Sequence, residues 1–235
     1  MEILKDGLLE LCKNDPEIEN LVRPRFNEII SMLDSFIALI QKFNPSHSLV
    51  ASDDAYSLCL RHILDSLSPL GIILRNLKKY QNETRLANIS IADIGSGAGL
   101  PGIPLAFVLP EAKFTLIERK TRRVNFLRNV KEALALNNVE IEEAEMEKLK
   151  PRPYSALVFR AFRPLEPKLL KKLFRLCDNK GFLAAYKGRK VKTEAEIKLL
   201  EKTIPDFSSK WELFPCPVPG LDEERHLLVI FPSPV

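Results

Sequence analysis

A glycine-rich segment behind a short apolar run constrains this chain more than any other feature. Residues 91–102 read Ile-Ala-Asp-Ile-Gly-Ser-Gly-Ala-Gly-Leu-Pro-Gly. Four of the nine glycines in the chain lie here, at Gly95, Gly97, Gly99 and Gly102. A strand that turns sharply into a helix favours residues without a Cβ atom, since glycine adopts positive φ at low cost and lets a ligand lie against the backbone. The segment therefore predicts a strand, a ligand-binding loop and a helix in succession.

The spacing of the glycines fits two kinds of adenosine-containing ligand. The run from Gly97 to Gly102 matches the G-x-G-x-x-G fingerprint of dinucleotide-binding folds, and Glu118 follows at the distance of a ribose-binding acid. The run from Asp93 to Gly99 also has the D-x-G-x-G-x-G spacing of methyltransferases that use S-adenosyl-L-methionine. An acid before the glycines suits the ammonium group of that cofactor and would repel a pyrophosphate. A methyltransferase is therefore favoured, while a dinucleotide enzyme and a plain strand–helix turn stay open.

The composition predicts a globular chain without a metal site or a membrane span. Its 235 residues allow one domain with an extension. No apolar stretch looks long enough to cross a bilayer, and the first six residues lack the regions of a signal peptide. Widely spaced cysteines and three scattered histidines predict free or buried thiols in a reducing cytoplasm. The cysteines are Cys12, Cys59, Cys177 and Cys216.

Positive charge is concentrated in the middle of the chain. Residues 113–192 contain 21 Lys or Arg against 9 Asp or Glu, a net charge of +12. Residues 1–112 (10 against 14) and 193–235 (4 against 8) each carry −4. Because the basic block follows the predicted ligand loop directly, it favours a polyanionic substrate. A solvated basic surface without a partner is the open alternative.

Periodicity predicts helices first and alternating strands and helices afterwards. Apolar residues at spacings of three and four predict helix over residues 1–42 and a second amphipathic helix from Ser52 or Asp53, whereas the polar stretch 75–88 is expected to be a loop. From Ile89 onward the alternation predicts a mainly parallel sheet. The last two strands lack an intervening helix and are expected to pair antiparallel at its edge. The expected strands are Ile89–Ile94, Phe114–Glu118, Val139–Glu143, Tyr154–Phe159, Gly181–Tyr186, Trp211–Phe214 and Leu227–Phe231.

Six longer strings accompany these patterns between residues 43 and 231. They resemble the motifs of the ribosomal RNA small subunit methyltransferase G family (glucose-inhibited division protein B family), which methylates N7 of a guanine in bacterial 16S rRNA. The strings are Arg61-His-Ile-Leu-Asp-Ser-Leu67, the run Asp93–Leu105, Arg122-Arg-Val-x-Phe-Leu127, Arg160-Ala-Phe162, Lys187-Gly188 and Glu224-Arg-His-Leu227.

The resemblance implies an α/β fold with a doubly wound, mainly parallel, seven-stranded Rossmann-like methyltransferase sheet. We expect an N-terminal helical extension over residues 1–70 and the methyltransferase domain over residues 71–235. The implied cofactor is S-adenosyl-L-methionine, and the implied partner is 16S rRNA or the small ribosomal subunit, methylated at one guanosine of the decoding-region loop. We expect a cytoplasmic monomer that uses no metal and contacts no membrane. An NAD-dependent oxidoreductase and a methyltransferase for a non-RNA substrate are the alternatives.

Nine residues are expected to hold the cofactor. The resemblance places contacts at Gly95, Leu100, Met146, Glu147 and Arg160. Glu118 takes the ribose-binding position, and the remaining members come from the glycine loop and the acid before it. The full set is Asp93, Gly95, Gly97, Gly99, Leu100, Glu118, Met146, Glu147 and Arg160.

Three cations, Arg160, Lys187 and Arg123, are expected to orient the target base and its phosphate, because ligands of such sheets bind where the strands end. We expect no catalytic acid or base. The N7 atom of guanine has a lone pair and no proton, and the chain shows no nucleophile–base set. A spacing of four residues further places Arg61 and Asp65 on one face of a helix, where a pairing between them is predicted; that this helix caps the cofactor pocket is the open alternative.

Overall fold

The computed structural model describes residues 2–232. The predicted helical extension begins at Met1, and the predicted methyltransferase domain ends with residues 233–235. These terminal residues lie outside the described part of the chain. Within the described part, helices precede and flank a single sheet. The division of the chain at residue 70 stays a prediction.

The sheet has the predicted class and nearly the predicted strands. Its order is β3-β2-β1-β4-β5-β7-β6; β1 to β5 are parallel, and β7 is antiparallel to both β5 and β6. Six strands begin and end within one residue of the prediction. β5 begins four residues earlier, because Cys177 pairs with Tyr154 beside a register shift. The strands are β1 Ser90–Ile94, β2 Lys113–Glu118, β3 Val139–Glu143, β4 Tyr154–Arg160, β5 Cys177–Lys187, β6 Trp211–Pro215 and β7 His226–Ile230.

The helical N-terminal region is divided by capping residues. Asp15 accepts from the N–H of Glu17 and Pro16 begins the next helix, so the predicted continuous helix breaks there. The third helix runs past the predicted stop at Asn44 to His47. The helices are α1 Glu2–Asn14, α2 Pro16–Val22, α3 Phe26–His47, α4 Ala55–Leu58, α5 Asp65–Leu67, α6 Leu70–Thr84, α7 Gly102–Val108, α8 Thr121–Ala133, α9 Pro167–Phe174 and α10 Lys190–Thr203.

The predicted loop over residues 75–88 is wrong, because α6 occupies most of it. Ile73, Leu77 and Tyr80 are buried on one face of this helix at spacings of four and three. The polar residues that suggested a loop are the opposite face of the same helix. An amphipathic pattern with few apolar positions was therefore mistaken for an irregular segment.

One stretch, Ala55–Thr84, is long and apolar enough to cross a membrane by length and composition. The expectation that no such stretch exists was therefore wrong. It contains α4, a π-helical turn at Cys59–Leu64, α5 and α6. Within its most apolar window, 78% of the residues are buried inside the protein. Packing in the protein core accounts for its apolar composition.

Helices cover both faces of the sheet. Successive side chains of a strand point to opposite faces, so Ile91 faces one core and Ala92 the other. The first core joins β1 and β2 to the N-terminal helices, α7 and α8, and the second packs α9 and α10 against the opposite face. The rings of Phe36 in α3 and Phe107 in α7 meet edge to face at 6.1 Å. All four cysteines are buried and free.

We predict that Phe36→Ala lowers the free energy of unfolding by about 3–5 kcal/mol, because it leaves a cavity between the N-terminal helices and the sheet. The ring is fully buried. Urea denaturation followed by circular dichroism measures the change. Tyr56→Ala removes a ring that is 58% exposed and serves as the control. A loss below 1 kcal/mol for Phe36→Ala would contradict this packing.

Candidate active site

The loop after β1 has the conformation that its glycines permit. Gly95, Gly97 and Gly99 have φ values of +73°, +58° and +82°, which residues with a Cβ atom rarely adopt. A Cβ atom on Gly99 would also lie 2.3 Å from Cδ1 of Ile103. The N–H of Gly95 donates to the carbonyl oxygen of Ile117 at 2.8 Å, which anchors the loop to β2. The predicted sequence of strand, loop and helix is confirmed.

The carboxylate of Glu118 fastens this loop to the end of β2. Its Oε2 accepts from the N–H of Gly97 at 3.0 Å, and its Oε1 accepts from the N–H groups of Arg119 and Lys120 at 2.9 Å each. The residue is buried. A carboxylate has about four acceptor positions, so these three bonds leave room for one further donor. This geometry fits a ribose hydroxyl at Glu118.

A cavity of about 600 Å³, here called the loop cavity, opens beside Glu118. Its volume is within the range of small-molecule pockets. Four of the predicted cofactor residues line it: Gly95, Glu118, Met146 and Glu147. Contact of the other five with a cofactor stays a prediction, because they lie outside this lining. They are Asp93, Gly97, Gly99, Leu100 and Arg160.

A short 3-10 turn forms the far wall of the loop cavity. Met146 is buried there, and Glu147 pairs with Arg163. The hydrogen bond from Arg163 lowers the pKa of the Glu147 carboxyl. Glu145 lines the cavity as well. Three consecutive residues, Glu145, Met146 and Glu147, therefore line the loop cavity.

Phe162 lies between the glycine loop and the end of β4. A Cβ atom on Gly95 would be 2.7 Å from its Cδ2 atom. The guanidinium of Arg163 stands 4.8 Å from the ring centroid, and the ring of Phe159 meets it edge to face. The half-buried ring thus packs on the loop and borders the loop cavity.

Asp93 lies beneath the loop and is completely buried. Its Oδ2 accepts from the N–H of Gly102 at 2.9 Å, whereas its Oδ1 has no hydrogen-bond partner within residues 2–232. Burial raises the pKa of this carboxyl to about 7. An orphaned buried acceptor suits a cationic or N–H donor from a ligand. The predicted contact with a cofactor ammonium group stays a prediction.

A second cavity of about 200 Å³, here called the strand-end cavity, adjoins the first, and Ala161 lines both. Arg160 and Lys187 line the strand-end cavity, whereas Arg123 lines the loop cavity. The three predicted substrate-orienting cations are therefore divided between two neighbouring spaces.

The predicted pairing of Arg61 with Asp65 is wrong. Arg61 pairs with Glu223, while Oδ2 of Asp65 lies 2.8 Å from Nη1 of Arg160 and its Oδ1 lies 3.2 Å from Nε of Arg225. The π-helical turn at residues 59–64 explains the difference, because it widens the turn beyond the spacing of four on which the prediction depended. A buried carboxylate thus holds two arginines from distant parts of the chain.

His62 helps to fix Arg160. The Nδ1 atom of His62 lies 3.1 Å from Nη2 of Arg160. Burial, followed by the charge of Arg160, lowers the pKa of His62 to about 4. The neutral ring therefore accepts a hydrogen bond from the guanidinium. Arg160 also donates to the carbonyl oxygen of Arg61 at 2.9 Å.

Sequence reasoning gave no role to Arg225 or His226, although both belong to a string that carried the family resemblance. Both line the strand-end cavity. The Nδ1 atom of His226 lies 2.8 Å from the carbonyl oxygen of Gly188. Their only signal in the sequence was that string, because antiparallel pairing of β7 with β5 brings them to the site. Among residues 2–232 no group of three or more His, Cys, Asp or Glu side chains could hold a metal ion.

Comparison with known proteins identifies the relatives of this chain. A sequence model described as "rRNA small subunit methyltransferase G" (GidB) matches residues 29–211. The chain belongs to the rRNA small subunit methyltransferase G family. That membership confirms the predicted family.

Individual relatives agree with this family over nearly the whole chain. A Treponema denticola protein named "Ribosomal RNA small subunit methyltransferase G" is 34% identical over 97% of this chain and 93% of its own length. A Hydrogenovibrio crunogenus protein of the same name is 32% identical over 94% of each. The solved METTL16 MTase domain covers 85% of this chain and 80% of its own at 13% identity, with a TM-score of 0.52. That likeness supports the fold alone.

We predict that Asp93 makes stability fall as pH rises from about 4 to about 7. In the folded state its pKa is about 7, whereas the ordinary value is 3.8. Between these values the folded state binds more protons than the unfolded state, so the slope of stability with pH is negative. The free energy of unfolding of the unmodified chain, relative to Asp93→Asn, should fall through this window and level off above it.

Asp54→Asn is the control for this measurement. The pKa of Asp54 is lowered to about 2 by hydrogen bonds from Ser52 and Ser57, so its stability contribution changes below the window. Denaturation at pH 4, 5, 6 and 7 gives both slopes. A flat or rising difference for Asp93→Asn would contradict a protonated, buried carboxyl.

Proposed function

We propose that this chain transfers the methyl group of S-adenosyl-L-methionine to N7 of a guanosine in the decoding-region loop of 16S rRNA. Family membership identifies the chain as an rRNA methyltransferase and confirms the predicted enzyme class. The observation that carries the finer proposal is the adjacency of the two cavities at Ala161. The loop cavity has the size and the glycine loop of a nucleoside site, and the strand-end cavity is lined by cations.

The residues around the loop cavity fit S-adenosyl-L-methionine. Glu118 retains one acceptor position for a ribose hydroxyl, and Met146 offers a polarisable thioether to the flat face of an adenine. Asp93 lies beneath the loop and outside this lining, and we assign its Oδ1, which has no partner within residues 2–232, to the ammonium group. A pyrophosphate placed against Glu118 would be repelled by its carboxylate. These features favour this cofactor over a nicotinamide dinucleotide.

The reaction requires positioning more than proton transfer. S-adenosyl-L-methionine, when bound, supplies an electrophilic methyl group. The lone pair of guanine N7 attacks without losing a proton, so the chain needs no general base. Holding the two reactants in line is worth several kcal/mol. Arg160 is suited to this task, because Asp65 and His62 hold its guanidinium at the wall of the strand-end cavity.

The basic surface beside the loop cavity suits the RNA backbone. Arg119, Lys120 and Arg122 are exposed at the start of α8 and make no ion pair with any residue from 2 to 232. Cations disfavour the N-terminus of a helix, so nothing in helix stability accounts for them. Free guanidinium and ammonium groups at the mouth of a site are the groups that bind phosphates.

The remaining features of the proposal concern the surroundings of the reaction. We place the chain in the cytoplasm, where its free cysteines are kept reduced and ribosomal RNA is present. Its partner is 16S rRNA or the small ribosomal subunit. It acts as a monomer and needs no metal, since the attack on the methyl group calls for no Lewis acid.

Mapping of 7-methylguanosine in 16S rRNA tests the function. We expect one guanosine of the decoding-region loop to lose its methyl group in cells that lack this gene, and to regain it from the purified chain with S-adenosyl-L-methionine. Calorimetric titration with S-adenosyl-L-methionine and with NAD tests the cofactor in parallel. A 16S rRNA with unchanged methylation, or binding of NAD alone, would contradict the proposal.

We predict that replacing Arg119, Lys120 and Arg122 together by Gln weakens binding to 16S rRNA and lowers the salt dependence. Each lost phosphate contact reduces the slope of log K against log salt by about 0.7–0.9, so a reduction of about 2–3 is expected for three contacts. Filter binding without cofactor measures it.

The control replaces by Gln three exposed lysines at the other end of the strands, where the parallel strands begin. Lys113 begins β2, Lys180 lies near the start of β5, and Lys79 contacts Phe231 beyond the end of β7. This triple variant removes the same charge and should keep the original slope. Equal losses in both variants would mean that net charge, not this surface, binds the RNA.

A further inference from the structure

The strand-end cavity has a composition that cofactor binding does not explain. It is lined by residues from the carboxyl ends of β4 and β5 and from the start of β7. Because β7 is antiparallel, its first residue, His226, lies opposite Lys187, the last residue of β5. The cavity shares only Ala161 with the loop cavity. It is a separate small space beside the loop cavity.

The strand order arranges its polar groups in a line away from the loop cavity. Neighbouring strands lie about 4.8 Å apart, and the order across this edge is β1, β4, β5, β7. Starting from the glycine loop after β1, one therefore meets Arg160, then Lys187, then His226. A flat ligand that enters from the loop side would meet them in that sequence.

Most of the hydrogen-bonding capacity in the lining is already used. Both carboxylate oxygens of Asp65 are paired with arginines, at 2.8 and 3.2 Å. Arg225 also donates to the carbonyl oxygen of Glu224 and to the carboxylate of Glu223. Each carboxylate oxygen of Asp65 is thus committed to a guanidinium group, and Arg225 holds Asp65 in place.

His226 and Lys187 both line the cavity and retain hydrogen-bonding capacity. A carbonyl oxygen only accepts, so the Nδ1 atom of His226 must donate to Gly188. In the neutral ring, Nε2 is then an acceptor, and no contact within residues 2–232 uses it. Lys187 lies 2.5 Å from Oε2 of Glu196, which occupies one of its three N–H groups. The cavity thus offers a donor and, one strand further on, an acceptor.

Guanine presents the complementary groups in the same order. Its N7 and O6 acceptors lie side by side, and the amino group on N2 is a donor at the other end of the base. A base with N7 towards the loop cavity places O6 and then N2 progressively further away. Adenine has a donor instead of O6 and lacks the N2 amino group, so it matches neither position.

We propose that the strand-end cavity is the pocket for the target guanine, in which Lys187 donates to O6 and Nε2 of His226 accepts from the N2 amino group. Atom N7 then faces Ala161 and the loop cavity. The inference rests on the proposed function, which names guanosine as the substrate, and assigns the residues that select it. His226 and Lys187 are specificity residues, and Asp65, Arg160 and Arg225 line the same cavity.

Removal of the N2 amino group from the target base tests the assignment of His226. Small subunits are assembled with 16S rRNA that carries guanosine or inosine at the mapped target; inosine lacks only the N2 amino group. We expect the unmodified chain to methylate guanosine roughly tenfold faster in kcat/KM, because inosine leaves the acceptor of His226 unpaired. A ratio near one for the unmodified chain would overturn the inference.

Two variants at His226 distinguish loss of the hydrogen-bond acceptor at Nε2 from loss of folding. His226→Asn keeps an amide N–H for the carbonyl oxygen of Gly188 but removes the acceptor at the Nε2 position, so the ratio should fall to about one through slower guanosine methylation. His226→Gln keeps an acceptor within reach and should retain part of the preference. A tenfold ratio in His226→Asn would overturn the inference while the proposed function stands. Failure of the unmodified chain to methylate guanosine would overturn both.

Salt dependence tests whether Lys187 meets the base or a phosphate. We expect Lys187→Met to lower kcat/KM for guanosine and inosine equally, since both carry O6, with no change in the slope against salt. A slope reduced by about one would place a phosphate at Lys187 and overturn the pocket. Lys198→Met removes an exposed lysine from the same neighbourhood of α10 and should change neither quantity.

Discussion

The reversal of strand order between β1 and β4 is the constraint on which both cavities depend. β2 and β3 lie on one side of β1, while β4 and β5 lie on the other. Right-handed crossovers then send α7 and α8 to one face of the sheet and α9 and α10 to the opposite face. The loops that follow β1 and β4 diverge, and a crevice opens between them. The glycine loop and Arg160 stand on its two sides.

The buried carboxylate of Asp65 connects the N-terminal helices to this crevice. It pairs with Arg160 at the end of β4 and with Arg225 just before β7. Removing such a carboxylate from water is costly, and two guanidinium partners offset the cost only in a fixed geometry. Three distant parts of the chain are thereby held at one point. The helical region is thus part of the wall of the site as well as a cover for the sheet.

The walls of the two cavities are suited to positioning a ligand, because their side chains are held by hydrogen bonds. Glu118 uses three backbone N–H groups to hold the loop and keeps one acceptor position. Asp65 and His62 fix a guanidinium whose own charge lowers the pKa of the histidine further. Side chains that are already bonded cannot rearrange freely, so these walls are preformed. Such preorganisation suits a methyl transfer in which no proton has to be moved.

The sequence by itself determined the class of fold, the glycine loop, the seven strands and the family. These follow from local signals: glycine spacing, apolar alternation, and strings that need no partner to be recognised. It failed at α6, where polar residues on one helical face imitated a loop, and at Arg61, where a π-helical turn changed the spacing. Both failures arise because burial and helix type depend on neighbours that are remote in the chain.

Only the tertiary structure decided which charged groups meet. Asp65, Arg160 and Arg225 are separated by 95 and 65 positions, so no periodicity could pair them. The same holds for Lys187 and His226, which face each other because β7 runs antiparallel to β5. The pairing of charges across long sequence distances depends on strand order and on the free energy of burying them together. That is why the loop for the cofactor could be predicted from the sequence and the second cavity beside it could not.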